Sequence, residues 1–370
     1  MRTVIDTRGP GARRHLARRL AAVATACVAV PVLAVVAAAP AHAGPSDVEG
    51  YVWGYQPVAA SYIASSGYEY NSEGQPIAVT RVAAGDYLVR FRGMAAAGGV
   101  AHASAYGLTS NFCAVGGFAP DGSDLLVRVR CFNPAGNPAD TMFVANYTNR
   151  QPAAGTLAYL WSDDPVPPPA HVPASWFDTT GQKPLITRIA AGRYQVRLGA
   201  LDATFPVGYL QGHLRATAYG KSATRCEVLD PRLQAPLAVP VRCYDPAGAA
   251  VDSRFTLTLA HQVNLLGATP PYAAALLHPQ PVGDPVLGGW TNPGGAPSAT
   301  KLGVGRYLVS FPGLAMPFGH AIANAFGTPP MYCHVAGWWP NGVDQVVRVD
   351  CRQPNGALTD VWAFQLSITR

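Results

Sequence analysis

The stretch that decides the fold is FCAVGGFAPDGSDLLVRVRCF, residues 112–132. Apolar and polar residues alternate along its second arm, and the midpoint between Cys113 and Cys131 falls on Gly122, inside the turn signal Pro-Asp-Gly. This pattern predicts two antiparallel strands joined by a hairpin, with the two cysteines facing each other across it. Directly opposed cysteines lie near bonding distance, so we expect a disulfide worth roughly 3 kcal/mol in the chain-entropy model.

Six cysteines place this hairpin in the chain three times. The pairs are Cys113 and Cys131, Cys226 and Cys243, and Cys333 and Cys351. Their separations are 18, 17 and 18 residues, which favours one disulfide within each pair. Free thiols or metal sites are the alternative, but the chain has no Cys-x-x-Cys and no matching His spacing. The middle pair lacks a turn signal at its centre, which predicts a looser loop there.

Short motifs around the cysteines repeat with them. The triplet Ala105-Tyr106-Gly107 returns at 218–220 and, with Phe326, at 325–327, and the segment Val79–Gly85 returns at 186–192 and 299–305. We therefore predict three tandem domains at residues 50–149, 156–262 and 272–370, referred to below as repeats 1, 2 and 3. The period is too long for a single solenoid or propeller repeat.

Each repeat is predicted to be an antiparallel β-sandwich of about seven strands, so the fold class is all-β. Periodicity is two almost everywhere, and one strand of each repeat carries small residues on one side, as in Ala101, Ala103 and Ala105. Small inward residues imply a close opposite sheet or a large aromatic residue packed over them. In repeat 3 the last strand lies one residue further from Asp360 than in the other repeats, so we expect a bulge or altered register there.

The string Gly305–Leu314, the Ala-Tyr-Gly triplet and the Val-Arg-Cys-[Phe/Tyr]-[Asn/Asp]-Pro-x-Gly segment resemble a repeat found in exported proteins of GC-rich bacteria. The resemblance covers nearly all of the chain after residue 43. That family has no assigned activity, so the resemblance implies export and repetition and no particular chemistry. The expected sandwich is also similar, at the level of fold alone, to H-type lectin and C1q-like domains.

The first 43 residues predict a secretory signal peptide. Six arginines in a basic start precede an Ala/Val-rich apolar run at 20–39, and Ala41-His42-Ala43 forms a cleavage-type end before Gly44. An uncleaved membrane anchor is the alternative, which the Pro31 break disfavours. Arg13-Arg14 loosely resembles a twin-arginine signal, so the export route stays open. We expect a secreted, extracellular protein without stable membrane insertion after cleavage.

Composition narrows the classes of function. Only 13% of residues are charged, while 49% are hydrophobic, unlike a disordered tail or a helix-rich protein. The net charge of +6 belongs mostly to the first 43 residues, which hold six Arg and one Asp. The rest of the chain is close to neutral, so no nucleic-acid partner is expected.

The search for catalytic chemistry predicts no catalytic residue, no cofactor and no metal site. The chain has no H-E-x-x-H, no G-x-S-x-G and no P-loop. Asp140, Asp252 and Asp360 occupy equivalent places, where an Asp before a strand more often satisfies a turn backbone than binds a metal. A Ser–His–Asp triad is a spatial arrangement, so an enzyme stays open as an alternative.

Histidines and basic residues are the first candidates for ligand binding. His213 and His320 hold equivalent places, where repeat 1 has Val100, and alternation with the alanines puts them outward or against a neighbouring domain. Outward strand positions are often basic, among them Arg197 and Arg306. They form either a positive sheet face for anionic glycans or an ordinary solvated face.

Four tryptophans are the second set of candidates: Trp176, Trp290, Trp338 and Trp339. They either stack on sugars or pack in a core, and the adjacent Trp338 and Trp339 should point to opposite sides of a strand. The sequence thus favours a secreted, non-catalytic binding or surface-interaction protein for cell-envelope or environmental glycans. An extracellular hydrolase or hydrolase inhibitor is the alternative. The domains either bind multivalently or pack around a pseudo-threefold axis, and the oligomeric state stays open.

Overall fold

The computed structural model describes residues 47–204, 213–229, 238–267, 272–277, 286–291, 294–327 and 330–369. The predicted signal peptide lies outside the described residues. Within these ranges, no helix is long and apolar enough to cross a membrane.

Strands dominate all three repeats, and the described residues contain eight per repeat plus a short ninth in repeat 1, against the expected seven. Repeat 1 contains β1 (Glu49–Gly54), β2 (Ser61–Ile63), β3 (Glu69–Asn71), β4 (Ala78–Ala83), β5 (Asp86–Phe91), β6 (Val100–Ala105), β7 (Phe112–Asp121), β8 (Asp124–Phe132) and β9 (Phe143–Thr148). Repeat 2 contains β10 (Thr156–Trp161), β11 (Ser175–Asp178), β12 (Leu185–Ala190), β13 (Arg193–Arg197), α1 (Gly199–Thr204), β14 (His213–Tyr219), β15 (Arg225–Val228), β16 (Val239–Tyr244) and β17 (Arg254–His261). Repeat 3 contains β18 (Tyr272–Leu277), β19 (Val286–Thr291), β20 (Ser298–Gly303), β21 (Arg306–Phe311), β22 (His320–Phe326), β23 (Tyr332–Asn341), β24 (Asp344–Arg352) and β25 (Ala363–Thr369).

Each repeat has two antiparallel layers, which confirms the predicted all-β sandwich class, and parallel pairs between repeats join layers into one nine-stranded and one eight-stranded sheet. The first sheet has the strand order β3-β1-β9-β6 in repeat 1, β11-β10-β17-β14 in repeat 2 and β19-β18-β25-β22 in repeat 3. The second has the orders β7-β8-β5-β4-β2, β15-β16-β13-β12 and β23-β24-β21-β20. Between the sheets lie the core residues, including the alanine column of β6. A Tyr–Phe pair fills each core, with ring centroids 4.9 Å apart for Tyr87 and Phe143.

The predicted disulfides are confirmed within all three hairpins. Cys113 pairs with Cys131, Cys226 with Cys243 and Cys333 with Cys351. In each hairpin the two cysteines are also direct cross-strand partners. Disulfides of this kind are typical of an oxidising, extracellular-type environment.

In each repeat, hydrogen bonds to one aspartate connect the turn between two neighbouring strands, β4 and β5 in repeat 1, to the segment just before the last strand. We call this set of bonds the latch. In repeat 1 the Asp140 carboxylate accepts hydrogen bonds from the Gly85 amide at 2.9 Å and the Tyr87 hydroxyl at 3.0 Å. Arg81 donates two more, at 2.9 and 2.8 Å. These bonds confirm the turn-satisfying role expected for Asp140, and they hold its pKa below the ordinary value, with the Arg81 hydrogen bond as the largest cause.

The three repeats close into a ring through equivalent contacts. The aromatic residue of each Ala-Tyr/Phe-Gly triplet pairs, in parallel, with the valine two positions after the first cysteine of another repeat: Tyr219 with Val115, Phe326 with Val228, and Tyr106 with Val335. In all three, the triplet glycine donates a hydrogen bond to that valine carbonyl, at 2.9, 3.4 and 3.0 Å. Repeat 2 thus contacts repeat 1, repeat 1 contacts repeat 3 and repeat 3 contacts repeat 2, which defines a pseudo-threefold axis.

The expected irregularity of repeat 3 lies before its last strand. The prediction of a bulge or shifted register within the strand is wrong, because β25 pairs with β22 and β18 without a register shift. The extra residue is taken up in the bend at Trp362, where the chain has not yet entered the sheet. That indole lies against Gly327, where a Cβ would come within 2.6 Å of it.

Candidate functional site

His213 and His320 lie on the pseudo-threefold axis. Each is 2% exposed, so the outward position is wrong and the position against neighbouring repeats is the one observed. Neither ring reaches a surface where it could contact a ligand. Burial lowers the pKa of both imidazoles to about 3, so both are neutral at physiological pH.

The same strand face that carries these histidines forms a polar core along the axis. His102 and Arg215 occupy equivalent places in β6 and β14, one layer further along. The His102 ring lies between the hydroxyls of Thr217 and Thr258, at 2.9 and 2.8 Å. Arg215 donates to the carbonyls of Ala103 and Ala323 in the two other repeats. This face therefore joins the repeats instead of facing solvent.

At one end of the axis, three equivalent turns surround a pit of about 910 Å³. They are residues 133–135, 245–247 and 353–355. Beside the pit, the proline of each turn lies against the glycine of the next repeat, as Pro246 lies against Gly136. Arg225 lies below this pit, where its Nη2 donates to the Asp245 carbonyl at 3.2 Å. Its guanidinium lies over two rings, those of Phe112 and Tyr332, at 4.7 and 4.8 Å.

The basic residues predicted for a positive sheet face are mostly neutralised by ion pairs. The sequence predicts eleven outward basic side chains, and four of them, Arg193, Arg197, Arg242 and Arg306, have no ion pair among the described residues. Carboxylates in turns, on neighbouring strands or on the same strand reach the other seven: Arg81, Arg90, Arg128, Arg130, Arg188, Lys301 and Arg348. Arg197 and Arg306 are exposed but lie at opposite ends of equivalent strands, β13 and β21. Arg193 and Arg242 are direct cross-strand partners, but the structure does not bring Arg197 and Arg306 together.

The predicted tryptophans do not form one group, because only Trp338 and Trp339 share a strand. Trp176 is half-buried against the core of repeat 2, and Trp290 lies in β19 opposite Ala274. Trp338 and Trp339 point to opposite sides, as expected, with exposures of 9% and 44%. Of the four, Trp338 contacts several other aromatic rings, which are described next.

Trp338 belongs to a group of seven aromatic rings at the contact between repeats 1 and 3, called here the aromatic cluster. Its members are Trp53, Tyr55, Tyr62, Tyr68, Tyr106, Phe318 and Trp338. Trp53 is central, with ring centroids at 4.8 Å from Tyr68 and 5.2 Å from Tyr106. Six of the seven rings are partly exposed, and Phe318 is the most exposed at 38%.

Backbone geometry fixes the outer edge of the aromatic cluster. The Trp53 amide donates to the Tyr68 carbonyl at 2.9 Å, and the Gly319 amide donates across the repeat contact to the Gly67 carbonyl at 2.9 Å. Gly67 has φ +92° and lies under the Phe318 ring, where a Cβ would come within 2.7 Å of it. The Phe318 ring is thus seated on a glycine of another repeat.

A smaller copy of the aromatic cluster exists at the contact between repeats 2 and 1. Trp161, Phe118 and Tyr219 take the places of Trp53, Trp338 and Tyr106, with centroid distances of 5.2 to 6.3 Å. This triad is a shared feature of ring closure. The four further rings of the aromatic cluster occur only in repeats 1 and 3, and they set that contact apart among the described residues.

Sequence reasoning missed most of the aromatic cluster. The signal was the density of aromatic residues at 51–70, where six of twenty residues are Trp or Tyr. A scan against protein-family models, a search of the curated proteins and a search of the solved structures each found no match. Among the described residues, no group of three or more His, Cys, Asp or Glu side chains is placed to hold a metal ion.

Proposed function

We propose that this protein is a secreted, non-catalytic glycan-binding protein and that its aromatic cluster is the binding surface. The observation that carries the proposal is the set of partly exposed rings around Trp53 at the contact of repeats 1 and 3. Aromatic faces offer a large apolar area, and Tyr and Trp add a polar edge that can meet hydroxyl groups. A sugar ring presents both an apolar face and hydroxyls, so its chemistry fits such a surface.

The charge distribution favours stacking over ionic attraction as the source of affinity. Most basic strand residues already have carboxylate partners, as in the pair of Arg128 and Asp86 at 2.6 Å. Exposed ion pairs contribute little and are screened by salt, whereas burial of apolar rings is not. Binding should therefore resist salt, and neutral or anionic envelope glycans are equally suitable ligands.

Substitution of Phe318 or Tyr68 by alanine is expected to lower retention of the mature protein on insoluble cell-wall polysaccharide by about tenfold, since a stacked aromatic ring is worth roughly 1 kcal/mol or more. The measurement is a pull-down with purified protein at low salt and at 0.5 M salt, the latter being about the level where surface charges are screened.

Trp362→Ala is the matched control, because Trp362 is 39% exposed, much like Phe318, but lies outside the aromatic cluster. It should leave retention unchanged. The proposal is wrong if the wild-type protein binds no neutral or anionic glycan, if the control weakens binding as much as Phe318→Ala, or if the polysaccharide is cleaved.

A further inference from the structure

A chamber of about 60 Å³ lies on the pseudo-threefold axis, beneath the Arg225 guanidinium. Strands from all three repeats line it: β6 and β7 of repeat 1, β14 and β15 of repeat 2, and β22 and β23 of repeat 3. A cavity of this volume holds one small ion together with one or two water molecules. Arg225 separates the chamber from the pit, because its Nη2 bonds carbonyls of the pit wall.

Polar atoms without partners line this chamber. Among the described residues, none hydrogen-bonds to Nε of Arg215, to Nε or Nη1 of Arg225, to either carboxyl oxygen of Glu227, to Oδ1 of Asn324 or to Nδ1 of His334. All five side chains are at least nine-tenths buried, with exposures of 1 to 6%. Buried polar groups are almost always paired. This number of unpaired polar atoms around one cavity therefore points to a bound polar species.

The chamber is positively charged, because two guanidiniums and only one carboxyl group line it. The guanidiniums of Arg215 and Arg225 bond backbone carbonyls and aromatic faces, and no carboxylate of the described residues lies within ion-pair distance of either. Glu227 and Asp245 act on Arg225 only at longer range. Glu227 is the one acid in the lining, and burial raises its pKa well above the ordinary value, which favours its neutral form. Burial lowers the pKa of Arg215 to about 9, so it stays a cation at neutral pH.

We propose that the axial chamber binds a small monovalent anion of halide size, held by the Nε–H of Arg215 and the Nε–H and Nη1–H of Arg225. A buried cation without a counter-charge is strongly unfavourable, and an anion between the two guanidiniums supplies it. Asn324 and His334 accept hydrogen bonds from water molecules that complete the shell. The anion then links all three repeats, since Arg215 already bonds repeats 1 and 3.

A comparison of the repeats suggests a substitution that tests the proposed anion site. Repeat 3 carries Ile322 where repeat 2 carries Arg215, so Arg215→Ile places a side chain that the fold accepts at an equivalent position. Thermal unfolding of the full mature chain is measured in sodium bromide and in sodium fluoride at the same ionic strength. Wild type should melt several degrees higher in bromide, because a ligand that binds only the native state stabilises it. Arg215→Ile should lose this difference, and the exposed Arg193→Ala should keep it.

Bromide itself gives a second, independent readout on wild type if Arg215→Ile does not fold. Crystals soaked in bromide should show an anomalous peak between Arg215 and Arg225. The proposal is overturned if the chamber shows only water density without an anomalous signal, or if Arg215→Ile and Arg193→Ala respond to bromide alike.

Discussion

Between pH 6.5 and pH 5, the free energy of unfolding of this protein is expected to fall by about 3 kcal/mol. The cause is the set of histidines buried around the axis. Burial lowers the pKa of His213 and His320 to about 3 and of His334 to about 4, and lowers that of His102 further below its ordinary value. The cation Arg215 faces the first two and His102, and Arg352 faces His334, so neighbouring charges add to the effect of burial.

The sign follows from counting protons. From pH 6.5 down to about 4.5, the unfolded chain takes up protons on these four histidines while the native state does not. Two carboxyls oppose them, because burial raises the pKa of Glu49 to about 7 and that of Glu227 well above its usual value, so the native state keeps their protons. The unfolded state therefore binds almost as many protons as the native state at pH 6.5 and about two more at pH 5, so the slope of stability against pH grows from near zero to about 2.7 kcal/mol per unit across this window.

A double substitution, His213→Val and His320→Val, should flatten this pH dependence. Repeat 1 already carries Val100 at the equivalent place, so valine suits the packing there. Removal of two of the four histidines cancels the net proton difference. Urea unfolding followed by tryptophan fluorescence at pH 5 and 6.5 measures it, with the partly exposed His171→Val as the control that should keep the wild-type slope. An unchanged slope in the double variant, or equal wild-type stability at both pH values, would contradict the argument.

The hairpins and cores could be predicted because they depend on local pattern. The spacing of Cys113, Gly122 and Cys131 predicts the observed pairing of the two cysteines, although a register shift between Val115 and Gly117, which the spacing does not show, moves the innermost pair to Asp121 and Asp124. The alternation around Ala103 likewise marks which face of β6 lies inside the sandwich. Such information is contained in neighbouring residues, and three copies of the pattern reinforce it.

The axial core could not be read from the same alternation. A period of two separates the faces of β14 but does not say whether the second face meets water or another repeat, so the sequence left both positions open for His213. The repeated motifs contained the missing information in another form. The glycine at 107, 220 and 327 and the valine two residues after each first cysteine recur because they bond each other across repeats. Motifs that are repeated but lie outside the predicted core are therefore candidates for contacts between repeats.

The aromatic cluster escaped prediction for a related reason. Trp53 and Trp338 are separated by nearly the whole described chain, and only the closure of the ring brings their centroids to 6.2 Å. The tandem order of the repeats places repeat 1 far from repeat 3 in sequence. Once a cyclic arrangement is assumed, the aromatic-rich segment at 51–70 becomes a candidate for the first-to-last contact.

Gly85→Ala is expected to lower the free energy of unfolding by about 4 kcal/mol, of which roughly 1 kcal/mol is backbone strain and the rest displaced structure. Gly85 has φ +64°, and an added Cβ would meet the Cys131 carbonyl oxygen and lie 2.6 Å from the Ala139 amide nitrogen. Both neighbours are backbone atoms and cannot rotate away. The Gly85 carbonyl also accepts the Cys131 amide at 2.7 Å, and its own amide donates to Asp140. Room for a methyl group would therefore require opening the latch and its link to the disulfide hairpin.

Gly122→Ala separates the backbone strain from the cost of displaced neighbouring structure. Gly122 has φ +62°, almost the same backbone conformation, but a Cβ there would meet no atom within 4 Å. Its substitution should therefore lower stability by only about 1 kcal/mol, the strain of the left-handed conformation alone. Urea midpoints of the two variants measure the difference. Equal losses would show that the close approach at Gly85 contributes nothing. A large loss for Gly85→Ala but not for Gly122→Ala would show that the latch stabilises repeat 1. The same large loss for Gly192→Ala and Gly305→Ala, where equivalent backbone atoms lie equally close, would extend this to repeats 2 and 3.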